Sequence, residues 1–206
     1  MKKSSTPRIS SRKEPQQARS AKLVEAVLEA AAQVLKKEGA ARFTTARVAE
    51  RAGVSVGSLY QYFPGKEAIL FRLQSDEWNR TAALLRGILE DQSVAPLDRL
   101  KSLVSSFIQT EIEEAELRLA LSDAAPLYRN AARAKDGRKE TEKVFQRFIG
   151  ELIPQASSET VKLNGEMLLT TLSAVGRRFS ETPRSPEKIE AFSNNIYDVF
   201  RRFLEG

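Results

Sequence analysis

Amphipathic helical segments follow one another along this chain, and none of it shows the alternation of apolar and polar residues that is typical of a β-strand. In the first segment, Leu23, Val27 and Val34 recur at helical spacing, and Gly39 is expected to end it. The same spacing predicts an all-α fold of about nine helices, over roughly 16–38, 45–52, 56–62, 66–91, 97–114, 117–124, 126–152, 158–180 and 186–204.

The second and third predicted helices are unusually short and lie close together. Thr44 is expected to cap the first of them through its side chain, and Gly53 to end it. Ser55 is expected to cap the other, which stops before Pro64-Gly65. Two short helices joined by a turn of about three residues that contains glycine form a helix-turn-helix.

Positive charge is concentrated in the same part of the chain. Residues 1–65 hold 12 Lys and Arg against 5 Asp and Glu, a net charge of +7. Residues 66–206 hold 21 Lys and Arg against 22 Asp and Glu, a net charge of −1. The two parts together give the total of +6. Basicity confined to one end indicates a module that binds a polyanion. From charge alone, a solvated basic tail is the alternative, because residues 1–15 are polar and expected to be disordered.

The composition excludes several kinds of chemistry. The chain contains no Cys and no His, so disulfides, thiolate or imidazole metal sites and Ser-His catalysis are excluded. No glycine-rich phosphate loop or other catalytic motif is present, so we expect no enzyme activity, no metal and no cofactor. No apolar stretch reaches the roughly 20 residues of a membrane span, and no secretory signal is seen, so we expect a cytoplasmic protein without membrane contact.

The segment from Phe43 to Leu70 reads FTTARVAERAGVSVGSLYQYFPGKEAIL. It resembles the DNA-binding signature of TetR-family regulators, F-T-x-x-x-[IV]-A-x-x-A-G-V-S-x-G-x-[LF]-Y-x-[YH]-F-x-x-K-E-x-[IL], at nearly every fixed position. By motif the resemblance covers about residues 18–70. It implies a disordered basic tail over 1–15, a three-helix helix-turn-helix domain over 16–65, and a larger helical effector-binding and dimerisation domain over 66–206.

Individual residues of this segment support a DNA-binding role. Leu59 and Phe63, four residues apart, are expected to brace the second short helix from behind. Gly57 costs a helix about 1 kcal/mol, which is understandable if the backbone approaches a groove wall, although relief of packing is the alternative. Lys66 opposes the dipole of the long helix that follows unless a phosphate binds there, although a solubilising lysine is the alternative.

The resemblance also implies which residues contact DNA. Positions that contact phosphates or the groove are matched by Thr45, Tyr60, Tyr62 and Lys66. Ser55 to Ser58 match the positions nearest the base edges. For each of the two tyrosines, a half-buried place in the core is the alternative. The complete predicted DNA-binding set is Thr44, Thr45, Arg47, Ser55, Val56, Gly57, Ser58, Tyr60, Gln61, Tyr62 and Lys66.

Two departures from the family pattern weaken the reading of bases. Ala46 stands where the family often has an arginine, with Arg47 one place later, and Val56 stands where a polar or cationic residue is frequent. Because the recognition helix offers only Gln61 as an amide, we expect thymine-methyl contacts, a contribution from Arg47 and reading of DNA shape. Basic tail residues expected to add phosphate or minor-groove contacts are Lys2, Lys3, Arg8, Arg12 and Lys13.

In the family, the two C-terminal helices pair with those of a second copy as a four-helix bundle. A twofold dimer of this kind presents two recognition helices about 34 Å apart, near one turn of DNA. The predicted dimer interface is Leu168, Leu172, Val175, Ile189, Phe192, Ile196, Phe200 and Phe203. The alternative is that these apolar stripes lie in the core of a single chain.

Family members usually enclose a small-molecule effector among their middle helices. Aromatic residues that are candidates for lining such a pocket are Phe71, Trp78, Phe107, Tyr128, Phe145 and Phe148. Aromatics at helical spacing are more often core, which is the alternative here. Arg118, Arg129 and Arg133 offer charge to an anionic ligand, although an apolar or weakly amphiphilic effector is favoured. Such a ligand is expected to tilt the long helix that begins at Lys66.

The sequence therefore predicts a sequence-specific DNA-binding transcriptional regulator, a homodimeric repressor that leaves a pseudo-palindromic double-stranded operator when an effector binds. One alternative is a basic helical protein-interaction module without specific DNA binding. Another is a ligand-carrying or catalytic helical domain with a basic head.

Overall fold

The computed structural model describes residues 18–127 and 136–205. Over these residues the chain forms nine α-helices and one 3-10 turn and contains no strand. The helices are α1 Ala18–Arg42, α2 Thr45–Ala52, α3 Val56–Tyr62, α4 Lys66–Leu89, α5 Pro96–Glu113, α6 Ala115–Ala124, α7 Asp136–Leu152, α8 Ser158–Ser180 and α9 Pro186–Glu205. The predicted all-α class is confirmed. The predictions for the basic tail and for Tyr128, Arg129 and Arg133 lie outside the described residues.

Local signals set most helix ends where the sequence places them. The backbone of Gly39 leaves helical geometry at φ 75°, a left-handed value that favours glycine, so α1 is broken there as expected. The bounds of α2 and α3 match the prediction to the residue. One predicted helix is wrong at its start, residue 126, because the chain makes a 3-10 turn over Ala125–Leu127; within the described residues, α7 covers Asp136–Leu152. Pro126 lies within that turn, since proline does not continue a helix.

The chain divides into two compact units that do not coincide with the predicted domains. Over the described residues, the first unit holds 18–77 and 116–127, and the second holds 78–115 and 136–205. The first unit therefore contains not only α1, α2 and α3 but also the beginning of α4 and the whole of α6 from Glu116 onward. The functional division at residues 65 and 66 stays a prediction.

Helix α6 belongs to the first unit because one of its faces is apolar. Leu117, Leu121 and Ala124 follow one another at helical spacing and pack into the same core as α1 and the start of α4. Beside this face, Arg118 donates a hydrogen bond from Nε to Oε1 of Glu77 at 2.8 Å. The Glu77 carboxylate is almost fully buried, so this ion pair fixes α6 to α4 inside the first unit.

The second unit is built around α5, which packs against α7, α8 and α9. Gly176 of α8 allows a close approach there, since a Cβ atom at this position would lie 3.0 Å from Cε1 of Phe107. Arg99 of α5 is buried, pairs with Glu151 of α7 and lies 5.2 Å above the Phe148 ring. These contacts hold the aromatic residues of α5 and α7 in one packed core.

No helix within the described residues is both long and apolar enough to cross a membrane.

Candidate nucleic-acid interface

The short helices α2 and α3 are held in place by the caps that the sequence predicts. Thr44 Oγ1 accepts a hydrogen bond from the backbone N–H of Arg47 at 3.3 Å, and Ser55 Oγ accepts one from Ser58 at 3.0 Å. Gly53 ends α2 in the left-handed conformation, at φ 66° and ψ 29°. Each capping side chain satisfies an N–H group at a helix start, so the turn between α2 and α3 is locally determined.

The inner side of α3 is fixed by apolar packing. Leu59 is fully buried, and Phe63, just after the helix, is almost so. Both lie in the core of the first unit with Val48 of α2 and Phe43 at the end of α1. Because α3 has only seven residues, this packing and not its own propensity keeps it helical. The orientation of its outer face is therefore set from behind, as the sequence predicts.

The outer face of α3 presents small and polar groups together. Residues Val56, Gly57 and Gln61 are exposed, as is the capping Ser55, while Ser58 is half-buried. A Cβ atom added to Gly57 would have no neighbour closer than Ser55 Oγ, at 3.8 Å. Packing within the described part of the chain therefore does not require glycine at this position. What glycine supplies here is room on the outside, which a close approach to a groove wall would need.

The two tyrosines of α3 have different environments. Tyr60 is 39% exposed, and its hydroxyl is 3.1 Å from Oγ1 of Thr45, the first residue of α2. This hydrogen bond ties the start of α2 to the outer face of α3. Tyr62 is only 9% exposed and packs in the core of the first unit. Three residues after Leu59, its ring lies on the inner face of the helix, as in the core alternative, and its contact with DNA stays a prediction.

Lys66 lies at the start of α4, half-buried, with Glu67 beside it in the first turn. Among the described residues, Lys66 forms no ion pair, so no carboxylate there neutralises its charge. An ammonium group and a helix N-terminus both attract an anion, which makes this corner suitable for a phosphate.

Arg47 does not join the outer face of α3. Its guanidinium forms an ion pair with Glu38 of α1, and on the next turn of α2 Arg51 donates from Nε to Oε1 of Gln33 of α1 at 2.7 Å. Successive residues of a helix point about 100° apart, so Arg47 cannot replace an arginine at the position of Ala46. The expectation that Arg47 helps to read DNA is therefore not supported by its placement.

The described residues of the predicted effector pocket divide between the two units, and the pocket stays a prediction. Phe71 packs in the core of the first unit, whereas Phe107, Phe145 and Phe148 pack in the core of the second. Trp78 is 37% exposed. A small open cleft of about 180 Å³ lies between α4 and α7, and of the predicted residues only Phe145 lines it. Aromatic spacing alone could not separate core from pocket, and here core packing explains the three phenylalanines of the second unit.

The described residues contain no group of three or more carboxylates that could hold a metal.

The residues of the predicted dimer interface differ in their exposure, and the interface itself stays a prediction. Leu168, Leu172 and Phe200 are buried in the core of their own unit, so these three are corrected. They lie on the inner faces of α8 and α9. Val175, Ile189, Phe192 and Ile196 are half-buried, and Phe203 is 43% exposed. Val199, in the same apolar stripe of α9, is also exposed, and exposed apolar residues that the prediction missed are Leu163 and Met167.

These observations define a class of protein: a helix-turn-helix DNA-binding protein with a second helical unit. The family model described as "Bacterial regulatory proteins, tetR family" matches residues 27–73. The model described as "Tetracyclin repressor-like, C-terminal domain" matches residues 95–205, more than half of the chain. The chain belongs to the TetR family of DNA-binding transcriptional regulators.

Individual relatives agree with the family. The nucleoid occlusion factor SlmA of Vibrio campbellii is 31% identical over 107 residues, which are 52% of this chain and 54% of that protein. The chain thus spans about half the length of this curated relative. The solved TetR-family regulator PfmR of Thermus thermophilus superposes with a TM-score of 0.67 at 20% identity, over 85% of this chain and 97% of that one. A solved chain of Mesorhizobium loti assigned to the same family superposes with a TM-score of 0.73 at 17% identity, over 91% of this chain and 98% of that one.

Proteins of this family bind DNA and dimerise, and they are generally not enzymes. The alternative of a basic interaction module without specific DNA binding is not favoured, since the match extends through both the helix-turn-helix and the second unit.

Proposed function

We propose that this chain is a transcriptional repressor in the cytoplasm, without catalytic activity of its own. It binds a pseudo-palindromic double-stranded operator as a homodimer, and a small-molecule effector releases it. The observation that carries the proposal is the outer face of α3, where Gly57, Tyr60 and Gln61 are exposed on a helix braced by buried Leu59 and Phe63. A braced helix with a small polar outer surface fits the major groove, which admits one α-helix.

The phosphate contacts are proposed to come from around this helix. Thr45 and Tyr60 share a hydrogen bond, so one backbone phosphate could be bound by both hydroxyls. Lys66 and the first turn of α4 supply a second site for a phosphate. Base contacts come from Ser55 to Ser58 and from Gln61, where Val56 offers its methyl groups to thymine and Gln61 offers an amide to adenine.

A homodimer is supported by apolar side chains that stay exposed on α8 and α9. On α8, Leu163 is 64% exposed, with Met167 four residues later. On α9, Val199 is 58% exposed, with Phe203 four residues later. Pairs at this spacing lie on one face of a helix, and exposed apolar groups of this size indicate an interface. Contact with the same face of a second copy would cover them, with the half-buried residues of the two helices at its edge.

Release by an effector is supported by the place of α6. This helix shares a core with α1 and the start of α4, and the Arg118–Glu77 ion pair joins it to α4. A ligand that moves α6 would therefore act on the same packed unit that holds α3. For release, the ligand must bind the conformation without DNA more tightly, by several kcal/mol for a nearly complete shift.

The test is a mobility-shift titration of DNA from the region upstream of the chain's own gene. We expect a discrete complex that resists unrelated competitor DNA. Tyr60→Ala combined with Lys66→Ala should abolish it, and Lys66→Ala alone should reduce the slope of log affinity against log salt by about 1. Lys101→Ala, which removes an exposed lysine of the second unit, is the matched control and should leave the complex unchanged.

Adding a panel of apolar and anionic small molecules to the preformed complex tests release. Dissociation by one of them supports the effector-controlled repressor. Absence of any competitor-resistant complex contradicts the proposal as a whole, whereas a stable complex that no compound dissociates contradicts only the effector.

A further inference from the structure

The ion pair between Arg47 and Glu38 has a consequence for DNA binding, and this inference rests on the proposed function. Arg47 lies in the first turn of α2, two residues after Thr45 and beside the exposed Ala46. In a helix-turn-helix the first of the two helices crosses the DNA backbone. An arginine in the first turn of that helix is therefore close enough to bind a phosphate if its side chain is free.

The side chain of Arg47 is instead turned toward α1. Glu38 is the last residue of α1 before the break at Gly39, and its carboxylate pairs with the Arg47 guanidinium. Both side chains are about one third exposed, at 39% and 31%, so solvent reaches the pair and it can open. Arg51, one turn later in α2, donates to the neutral Gln33 of α1, so of these two contacts between α1 and α2 only the one at Glu38 neutralises an arginine.

We propose that Glu38 withholds Arg47 from the DNA backbone and so removes one phosphate contact from the complex. Glu38 acts as a positioning residue: it competes with phosphate for the same guanidinium and does not contact DNA itself. A contact to phosphate strengthens binding to any sequence, and its loss lowers affinity for operator and unrelated DNA alike. The chain therefore binds less tightly overall, which makes release from the operator easier.

The test measures DNA affinity at several salt concentrations, from about 50 to 200 mM, by fluorescence anisotropy on an operator duplex and on an unrelated duplex of equal length. Glu38→Gln should steepen the slope of log affinity against log salt by about 0.9 on both duplexes, the value for one additional phosphate contact. Affinity at the lower salt should rise about two- to fivefold, as expected when an exposed ion pair stops competing.

Combining Glu38→Gln with Arg47→Gln identifies the responsible side chain. This double variant has the net charge of the native chain and should return to the native slope, because the freed guanidinium is gone. Glu29→Gln removes a charge from an exposed position on the same helix and should leave the slope unchanged. Glu38→Ala should behave as Glu38→Gln does, which excludes a residual hydrogen bond from the glutamine.

Three results would overturn the inference: a native slope for Glu38→Gln, a slope that stays steep in the double variant, or an equal change for Glu29→Gln. The last would indicate a general effect of charge. Circular dichroism of each variant verifies that α-helix content is retained. If the native chain does not prefer the operator, the proposed repressor function fails, but the slopes on unrelated DNA still decide the role of Glu38.

Discussion

Helices α3 and α9 divide their residues between an inner and an outer face in the same way, but the outer faces differ in chemistry. In α3, Leu59 points into the core of the first unit, while Gln61 and its neighbours on the outside are small or polar. In α9, Phe200 points into the core of the second unit, while Val199 and Phe203 remain exposed on the outside. Each helix packs one apolar stripe into the core of its unit, and its other face is not covered by the described part of the chain.

The difference indicates what each outer face binds. A surface of hydroxyls, an amide and glycine, with Val56 as its one exposed aliphatic side chain, keeps most of its hydration in the free chain and exchanges it for the groups of a DNA groove. A surface of valine and phenylalanine gains most when it is removed from water against another apolar surface. The first unit is therefore suited to DNA and the second to a second copy of the chain.

The largest expected effect is on stability, and it should differ between the inner and the outer face of α3. Leu59→Ala should lower the free energy of unfolding by about 2 to 5 kcal/mol, because it leaves a cavity behind the helix. Tyr60→Ala should cost at most about 1.5 kcal/mol, since it removes an exposed ring and one hydrogen bond, yet it should weaken the DNA complex. Urea unfolding and anisotropy on the same samples measure both effects. A larger loss of stability for Tyr60→Ala would show that its ring is structural.

The next effect compares two ion pairs, one in each unit. Glu77→Gln should lower the free energy of unfolding by about 2 to 3 kcal/mol, because it removes the ion pair between the almost fully buried Glu77 carboxylate and the half-buried Arg118 guanidinium. Glu90→Gln removes the partner of Arg147 in an exposed pair of the second unit and should cost at most about 1 kcal/mol. Equal costs in urea unfolding would contradict the assignment of Glu77 as the clamp between α4 and α6.

A smaller effect tests the outer face of α9. Val199→Asp should weaken dimerisation by about tenfold or more, because a half-exposed valine contributes about 1.5 kcal/mol when an interface buries it. Leu119→Asp changes an equally exposed apolar residue on α6 of the first unit and should leave dimerisation unchanged. Sedimentation equilibrium measures both dissociation constants. If Leu119→Asp dissociates the dimer and Val199→Asp does not, the interface lies elsewhere.

The smallest effect concerns the turn between α4 and α5. The Ser93 hydroxyl and its backbone N–H both donate to the Asp91 carboxylate, and these hydrogen bonds lower the pKa of Asp91 below 3.8. Because the folded-state pKa is the lower one, the stabilisation is present above pH 3.8 and is lost as the pH falls through the folded-state value. Asp91→Asn should therefore have a lower melting temperature than the native chain near pH 7, and the two melting temperatures should converge in acid. A difference that grows in acid would contradict the hydrogen bonds to the carboxylate.

The sequence could predict α2 and α3 to the residue because their ends depend on local chemistry. Capping side chains at Thr44 and Ser55 and the left-handed Gly53 act within three or four residues. The brace of α3 was equally predictable, since Leu59 and Phe63 occupy one face at helical spacing. A motif whose determinants are all local can be recognised from one sequence.

The remaining features depend on which helix packs against which, and periodicity does not give that information. The apolar stripe of α6 is visible in the sequence. The sequence does not show that this stripe packs against α1 in the first unit and not within the second unit. The same holds for Leu168, whose stripe could equally face a partner. Glu38 could have been found, because only a short connection separates the end of the first predicted helix from the start of the second.

The central claim, that the outer face of α3 contacts DNA, is tested most directly by cleavage from a single introduced thiol. The chain has no cysteine, so Val56→Cys provides a unique attachment point for an iron chelate on this face. Leu119→Cys places the same chelate on α6 as a control. We predict cleavage of operator DNA from position 56 at two places about one helical turn apart, and none from position 119. Cleavage from position 119 with none from position 56 would contradict the account.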